Sequence, residues 1–162
     1  MTAEGYTRVQ IRLHWAVVLL VAAQFVLRDG IVASFKTKVA TGVVNFTGLT
    51  VAHFAIGLLI FLLAVWRILL RRSLGAPLPP EGDPDWQKLL VRLTHAGIYG
   101  CLLAMPITGF IAWAGPVPLF GGIHGALRLL LLALVLLHIA GALYGQFVQR
   151  TGILRRMMKP VD

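Results

Sequence analysis

The sequence predicts an all-α integral membrane protein, a four-helix bundle with both termini in the cytoplasm, and three observations carry that prediction. Of the 162 residues, 58% are hydrophobic and only 13% are charged, and the mean hydropathy is +0.83; most of such a chain belongs in lipid rather than around a small soluble core. The apolar residues gather into four runs, each near the roughly 20 residues that a hydrocarbon layer about 30 Å thick requires. The basic residues collect at the ends of those runs. A formal charge of +9 would suit nucleic acid, but this clustering is what the positive-inside rule explains, so nucleic-acid binding is set aside.

The first span runs from about Ile11 to Leu27. It follows Arg8 and Arg12 as a signal peptide would, yet it ends in Leu27-Arg28-Asp29-Gly30 without a small-x-small cleavage site and carries His14, so it reads as a retained helix. The second span covers about Leu49 to Leu70, the third about Leu89 to Trp113, and the fourth about Ile123 to Val148. Between the second and third, Gly75 to Asp85 holds Pro77, Pro79, Pro80 and Pro84 and cannot continue a helix. Gly115, Pro116 and Pro118 to Gly122 make a short outer turn. Eleven of the fifteen cationic residues (Arg8, Arg12, Arg67, Arg71, Arg72, Lys88, Arg92, Arg150, Arg155, Arg156 and Lys159) fall on one side, leaving Arg28, Lys36, Lys38 and Arg128 on the other. That asymmetry puts both termini in the cytoplasm. With no internal repeat, the expectation is one membrane domain over 1–162 with cofactors between its helices.

Five histidines lie in or at the ends of these apolar runs. His124 and His138 are fourteen residues apart in the fourth, so both project from one face about 21 Å apart along the axis. Tracing each span by direction puts His14 and His138 toward the inner side, and His53 and His124 toward the outer side. An ionisable side chain in lipid is a functional hypothesis by default, and neutral imidazole is a standard axial ligand of haem iron. Two depth-matched pairs therefore read as two stacked bis-histidine haem sites. Gly57, Gly125 and Gly141 lie within a turn of these ligands and would let a flat macrocycle approach the backbone, though such glycines also serve ordinary tight helix packing.

His95 competes for the inner level, but pairing it with His14 would strand His138, so it is read as a non-ligand. With Tyr99 four residues on, it would suit the carbonyl of a quinone; a backbone-bonded histidine beside an interfacial aromatic explains the same residues. Zinc or copper transport is the rival for clustered histidines, but such sites recruit carboxylates or thiolates. All six acidic residues, Glu4, Asp29, Glu81, Asp83, Asp85 and Asp162, lie outside the predicted spans. Cys101 is the only cysteine, which rules out an intramolecular disulfide and a haem attached through Cys-x-x-Cys-His.

The chain resembles the bacterial dihaem cytochrome b561 proteins, relatives of the cytochrome b subunits of formate dehydrogenases and nickel-iron hydrogenases. The resemblance covers essentially the whole chain. It rests on Tyr6-Thr7-Arg8-Val9-Gln10-Ile11-Arg12-Leu13-His14-Trp15, on Val51-Ala52-His53-Phe54-Ala55-Ile56-Gly57, on Thr94-His95-Ala96-Gly97-Ile98-Tyr99 with Met105-Pro106-Ile107-Thr108-Gly109, and on His124 with His138. It implies haem ligation by His14, His53, His124 and His138, with the histidine at position 95 outside the ligand set.

Members of the superoxide oxidase type look most similar. They imply an oxidoreductase of the bacterial inner membrane that takes electrons from superoxide at the outer face and passes them through both haems to ubiquinone. Arg28, Lys36 and Lys38 would then attract anions. Arg128 at the outer level, and Arg67 and Arg71 at the inner, would meet haem propionates, although neutralisation or anchoring at lipid phosphates explains them as well. The alternative is an electron-transfer subunit serving a partner dehydrogenase, hydrogenase or c-type cytochrome. In either case the cofactors carry the chemistry and no catalytic acid, base or nucleophile is required of the chain.

Overall fold

A computed structural model describes residues 5–80, 82–115 and 117–162. Expectations that fall on Glu4, Glu81 and Pro116 lie outside the described residues. Six helices follow in order: α1 (Arg8–Val26), α2 (Arg28–Thr41), α3 (Gly48–Leu74), α4 (Asp85–Ala114), α5 (Pro118–Phe147) and α6 (Ile153–Arg156), with no strand among the described residues. Four of them, α1, α3, α4 and α5, are long and apolar enough to cross a membrane, and they match the four spans read from the sequence.

Their ends follow local chemistry. Thr7 caps α1: its hydroxyl accepts from the Gln10 amide at 3.3 Å, and the Gln10 side chain accepts from the Thr7 amide at 3.0 Å, so two free helix donors are satisfied reciprocally. Thr47 caps α3 by accepting from the Thr50 amide at 3.2 Å. Gly75, at φ 77, ends α3 before the proline-rich loop. Helix α5 begins at Pro118 itself, so the turn before it is shorter than expected. Proline belongs at a first helical position because its missing N–H would have had no partner there and its φ is already helical.

Helix α4 lies along α5, α1 along α3, and α3 touches α4. At the middle of the bundle Val17, Ile60, Ala64, Cys101, Leu102 and Leu131 form an apolar cluster drawn from all four long helices. Most large hydrophobic side chains elsewhere, such as Leu19, Leu69, Phe110 and Leu129, point outward, as lipid-facing surfaces do when every backbone group is bonded within its own helix.

Both termini meet at one end. The Val161 amide donates to the Tyr6 carbonyl at 3.2 Å, and Arg8 holds Asp162 through its own amide at 2.7 Å and its Nε at 2.8 Å. Arg67 donates to the Gln10 carbonyl and Gln10 to the Gly75 carbonyl at that same end, which is called the terminal end below; the opposite end is the distal end.

Helix α2 was not anticipated, because it has no apolar periodicity. It is held across the distal end by α3. Ser34 and Thr50, both buried, share a hydrogen bond of 2.8 Å, and Thr50 also bonds the Thr47 hydroxyl at 3.0 Å. Gly30 lies so close to Leu49 that a Cβ there would meet the Leu49 Cβ at 2.6 Å. Asp29 in its first turn, Lys38 in its last and left-handed Gly42 after it are helix-end signals legible in the sequence. Thr50→Val should remove the one side-chain hydrogen bond of Ser34 among the described residues and cost about 1–3 kcal/mol by stranding a buried hydroxyl. A lower thermal midpoint in detergent, with faster proteolysis within 28–47, is the expected result.

Candidate functional site

The histidines gather at two levels. Toward the terminal end, His14 of α1 and His138 of α5 face each other with ring centres 6.3 Å apart and planes at 66°. Toward the distal end, His53 of α3 and His124 of α5 stand 6.4 Å apart at 63°. Both α5 histidines project from one uninterrupted helix, about 21 Å apart along its axis. Leu131 lies midway between them, seven residues from each, inside the central apolar cluster.

Helix α5 packs closely only on α4 and on the short α6; neither α1 nor α3 runs against it over any length. The paired imidazoles therefore reach toward each other across the space between helices that otherwise stand apart. Two imidazole nitrogens on opposite sides of one metal ion, at about 2 Å each and about 1.2 Å from their ring centres, place those centres about 6.4 Å apart. Both pairs fit that spacing. His95 and His138 do not: their ring centres are 4.9 Å apart at 85°, which leaves no room for an ion between them. No group of three or more histidine, cysteine or carboxylate side chains is placed to hold a bare metal ion among the described residues.

Neighbouring groups set how each ring presents itself. His124 donates from Nδ1 to the Met105 carbonyl at 2.9 Å, which leaves Nε2 with its lone pair as a metal ligand requires. A Cβ on Gly109 would lie 3.1 Å from that Nδ1, so glycine is what lets the ring reach α4 there. Pro106 sits inside α4 and cannot donate to the carbonyl one turn back, while Thr108 bonds the Ala104 and Met105 carbonyls at 2.9 and 3.0 Å. The Met105 to Gly109 segment is thus the support of His124.

His53 is supported from α1. The Gln24 amide donates to the His53 carbonyl at 2.8 Å. Gln24 Oε1 and His53 Nδ1 are buried without a hydrogen-bond partner among the described residues, polar capacity that marks a ligand-binding environment rather than plain core. A Cβ at Gly57 would meet Gln24 Nε2 at 3.2 Å, so this glycine makes way for Gln24. Gly125 and Gly141, like Gly122 of the same helix, have nothing within 4 Å of a built Cβ. Gln24 is a support that sequence reasoning missed, its one signal a glutamine inside an apolar run, and the Met105 to Gly109 motif stood out in the sequence without a role.

The cations fall near the two levels. Arg128 follows His124 by one turn of α5, and Arg67 and Arg71 lie toward the terminal end of α3. Among the described residues the ion pairs are Arg28–Asp29 and Lys88–Asp85, so Arg67, Arg71 and Arg128 have no carboxylate partner there. His95 donates from Nδ1 to the Val91 carbonyl at 2.7 Å, and Tyr99 is half-buried one turn further on. Above the distal pair, Phe35, Phe46 and Phe54 surround Trp113, with Phe54 5.1 Å from the indole and 6.4 Å from His53. Lys38 donates to the Trp113 carbonyl and stands 4.8 Å from its ring centre.

Comparison with known proteins agrees with this geometry. The family model described as prokaryotic cytochrome b561 matches residues 5–160. A protein named cytochrome b562 from Cereibacter sphaeroides is 31% identical over 165 residues, covering 99% of this chain and 99% of the relative. Cytochrome b561 homolog 1 of Escherichia coli strain K12 is 22% identical over 174 residues, covering 94% and 96%. A match along nearly the whole length, on a bundle whose histidines turn inward in pairs, settles the kind of protein: the chain belongs to the prokaryotic cytochrome b561 family, b-type haem cytochromes of electron transfer that cross the bacterial inner membrane several times.

Proposed function

We propose that this chain carries electrons across the bilayer by means of two haem b groups, one held by His14 and His138 and the other by His53 and His124, oxidising superoxide at the periplasmic face and reducing ubiquinone. The observation that supports this best is the repeated ring spacing of 6.3 and 6.4 Å at two levels of one bundle. Iron between two imidazoles supplies one-electron exchange. Two superoxide anions each give up one electron and leave as dioxygen; ubiquinone takes both electrons and two protons to become the quinol. The eleven cations at the terminal end favour placing that end in the cytoplasm and the distal end in the periplasm.

The chain's own residues would act by position and charge. Met105 and Gly109 fix the His124 ring, and Gln24 fixes the backbone at His53. Arg128 at the distal level, with Arg67 and Arg71 at the terminal one, is suited to carboxylates of a bound haem, since a cation at membrane depth needs a counter-charge. The aromatic group around Trp113 would limit water at the distal pair. Lys36, exposed on α2, together with Lys38, would draw an anion toward that end, whereas Arg28 is offset by Asp29. His95 and Tyr99 would face the quinone head, with His95 orienting through its bond to Val91.

Helix α2 favours a second reading, in which a partner dehydrogenase, hydrogenase or c-type cytochrome supplies the electrons. It lays a polar helical face over the distal end, which is a surface a redox protein can dock on.

An anaerobic spectrum with haem quantified per chain, followed by mixing the oxidised protein with superoxide with and without a ubiquinone analogue, tests both. Two b-type haems that reduce rapidly and pass electrons to the quinone are expected; two haems inert to superoxide would favour the partner reading. His14→Ala and His138→Ala should lose the same haem, His53→Ala and His124→Ala the other, and His95→Ala neither. Loss of a haem in His95→Ala but not in His138→Ala would overturn the pairing at the terminal level. Gly109→Ala, which pushes a Cβ to 3.1 Å from His124 Nδ1, should shift the redox midpoint and spectrum of the distal haem alone.

A further inference from the structure

The segment after α5 is folded back beneath the bundle rather than trailing from it. Arg150 and Gly152 both take left-handed backbone conformations, at φ 57 and 66, and the Thr151 amide and hydroxyl each bond the Gly145 carbonyl at 2.9 Å. The turn returns α6 to the terminal end, where α1, the residues just before it and the loop after α3 hold the strap. Trp15 donates from its indole to the Met157 carbonyl at 3.0 Å, Arg156 donates to the Leu78 carbonyl at 2.9 Å, and Arg8 and Tyr6 hold Asp162 and Val161.

Between the strap and the start of the chain lies an open cavity of about 440 Å³, lined by Gly5, Thr151, Gly152, Arg155, Arg156 and Lys159 among others. That volume suits a small polar group. Three of its lining residues are cationic and none is acidic among the described residues. Asp162, next to the lining residue Val161, accepts from the Arg8 amide. Arg155 and Lys159 are exposed over the cavity, and Arg156 spends one guanidinium nitrogen on Leu78.

An apolar flank adjoins these cations. Trp15 is 44% exposed and sits where an interfacial indole belongs, with Val18 and Leu19 following it on the outer surface of α1 and Met158 projecting from the strap. An open cavity lined by cations beside a lipid-facing helix is complementary to an amphiphile with a phosphate head.

We propose that this cavity binds the phosphate group of an anionic phospholipid, with the acyl chains lying along α1. Basic pockets at the ends of membrane helices recognise such headgroups through charge and shape together. The site is independent of the histidine pairs and does not rest on the electron-transfer reading.

The test uses the full-length haem-loaded protein, with bound lipid counted by native mass spectrometry in titrations with phosphatidylglycerol, phosphatidylcholine or inorganic phosphate. The wild type should hold one phosphatidylglycerol per chain in preference to phosphatidylcholine. Arg155→Gln/Lys159→Gln should weaken that binding at least about tenfold, because both cations that face the bound phosphate are lost. Arg72→Gln/Arg92→Gln, which removes the same charge at the same end outside the cavity, should bind as the wild type does. Haem content verifies folding of each variant, and Lys159→Gln alone serves if the double variant does not fold. Equal weakening by both double variants would mean a diffuse field and overturn the site, as would no weakening by either. Saturation by inorganic phosphate without preference for the lipid would overturn the lipid assignment.

Discussion

The continuity of α5 is the constraint on which the rest of the structure depends. Thirty residues without a break keep His124 and His138 on one face, and Leu131 between them anchors that face in the central cluster. A single kink would rotate one histidine away from its partner, because each residue turns the face by about 100°. The break in regularity is placed instead in α4, at Pro106, where the neighbouring Met105 carbonyl supports His124. Irregularity is thus confined to the helix that carries supports, and the helix that carries two of the paired rings remains straight in its periodicity.

The arrangement of helices follows from the same demand. Were α5 to pack tightly against α1 and α3 as it does against α4, the paired imidazoles would be crowded out of facing positions. The bundle is held together by the middle cluster and by contacts at its ends, where polar groups can find partners. At the terminal end these are Arg67 with Gln10, Gln10 with Gly75, and reciprocal amide bonds of 3.0 Å between Gln87 and Gln149. At the distal end they are the Ser34, Thr47 and Thr50 hydroxyls. Lipid offers little drive for apolar helices to associate, so these hydrogen bonds and close glycine contacts contribute where hydrophobic burial does not.

The two ends are finished differently. Helix α2 and the aromatic group around Trp113 cover the distal pair with mixed polar and aromatic surface, whereas the terminal end is wrapped by a basic strap. Unlike coverings at the two ends give unlike access. The Met105 to Gly109 segment and Gly57 acquire physical meaning from this structure: Gly109 admits a ring, Met105 orients it, and Gly57 makes room for Gln24.

Length, hydropathy and the placement of charge determined the four spans, because the thickness of a bilayer constrains sequence directly. Helical periodicity determined that His124 and His138 share a face, and direction of travel sorted the remaining histidines by depth. Tertiary structure alone decided what depth cannot: that His14 faces His138 at 6.3 Å while His95 approaches it at 4.9 Å, since lateral position depends on which helices are neighbours. It also decided the existence of α2, whose 14 residues have no apolar stripe and are held by Ser34, Gly30 and Phe35 against partners distant in sequence. The supporting roles of Gln24, Met105 and Gly109 were hidden for the same reason: a carbonyl or a missing Cβ acts on whatever ring the fold brings to it, and no local pattern records which ring that is.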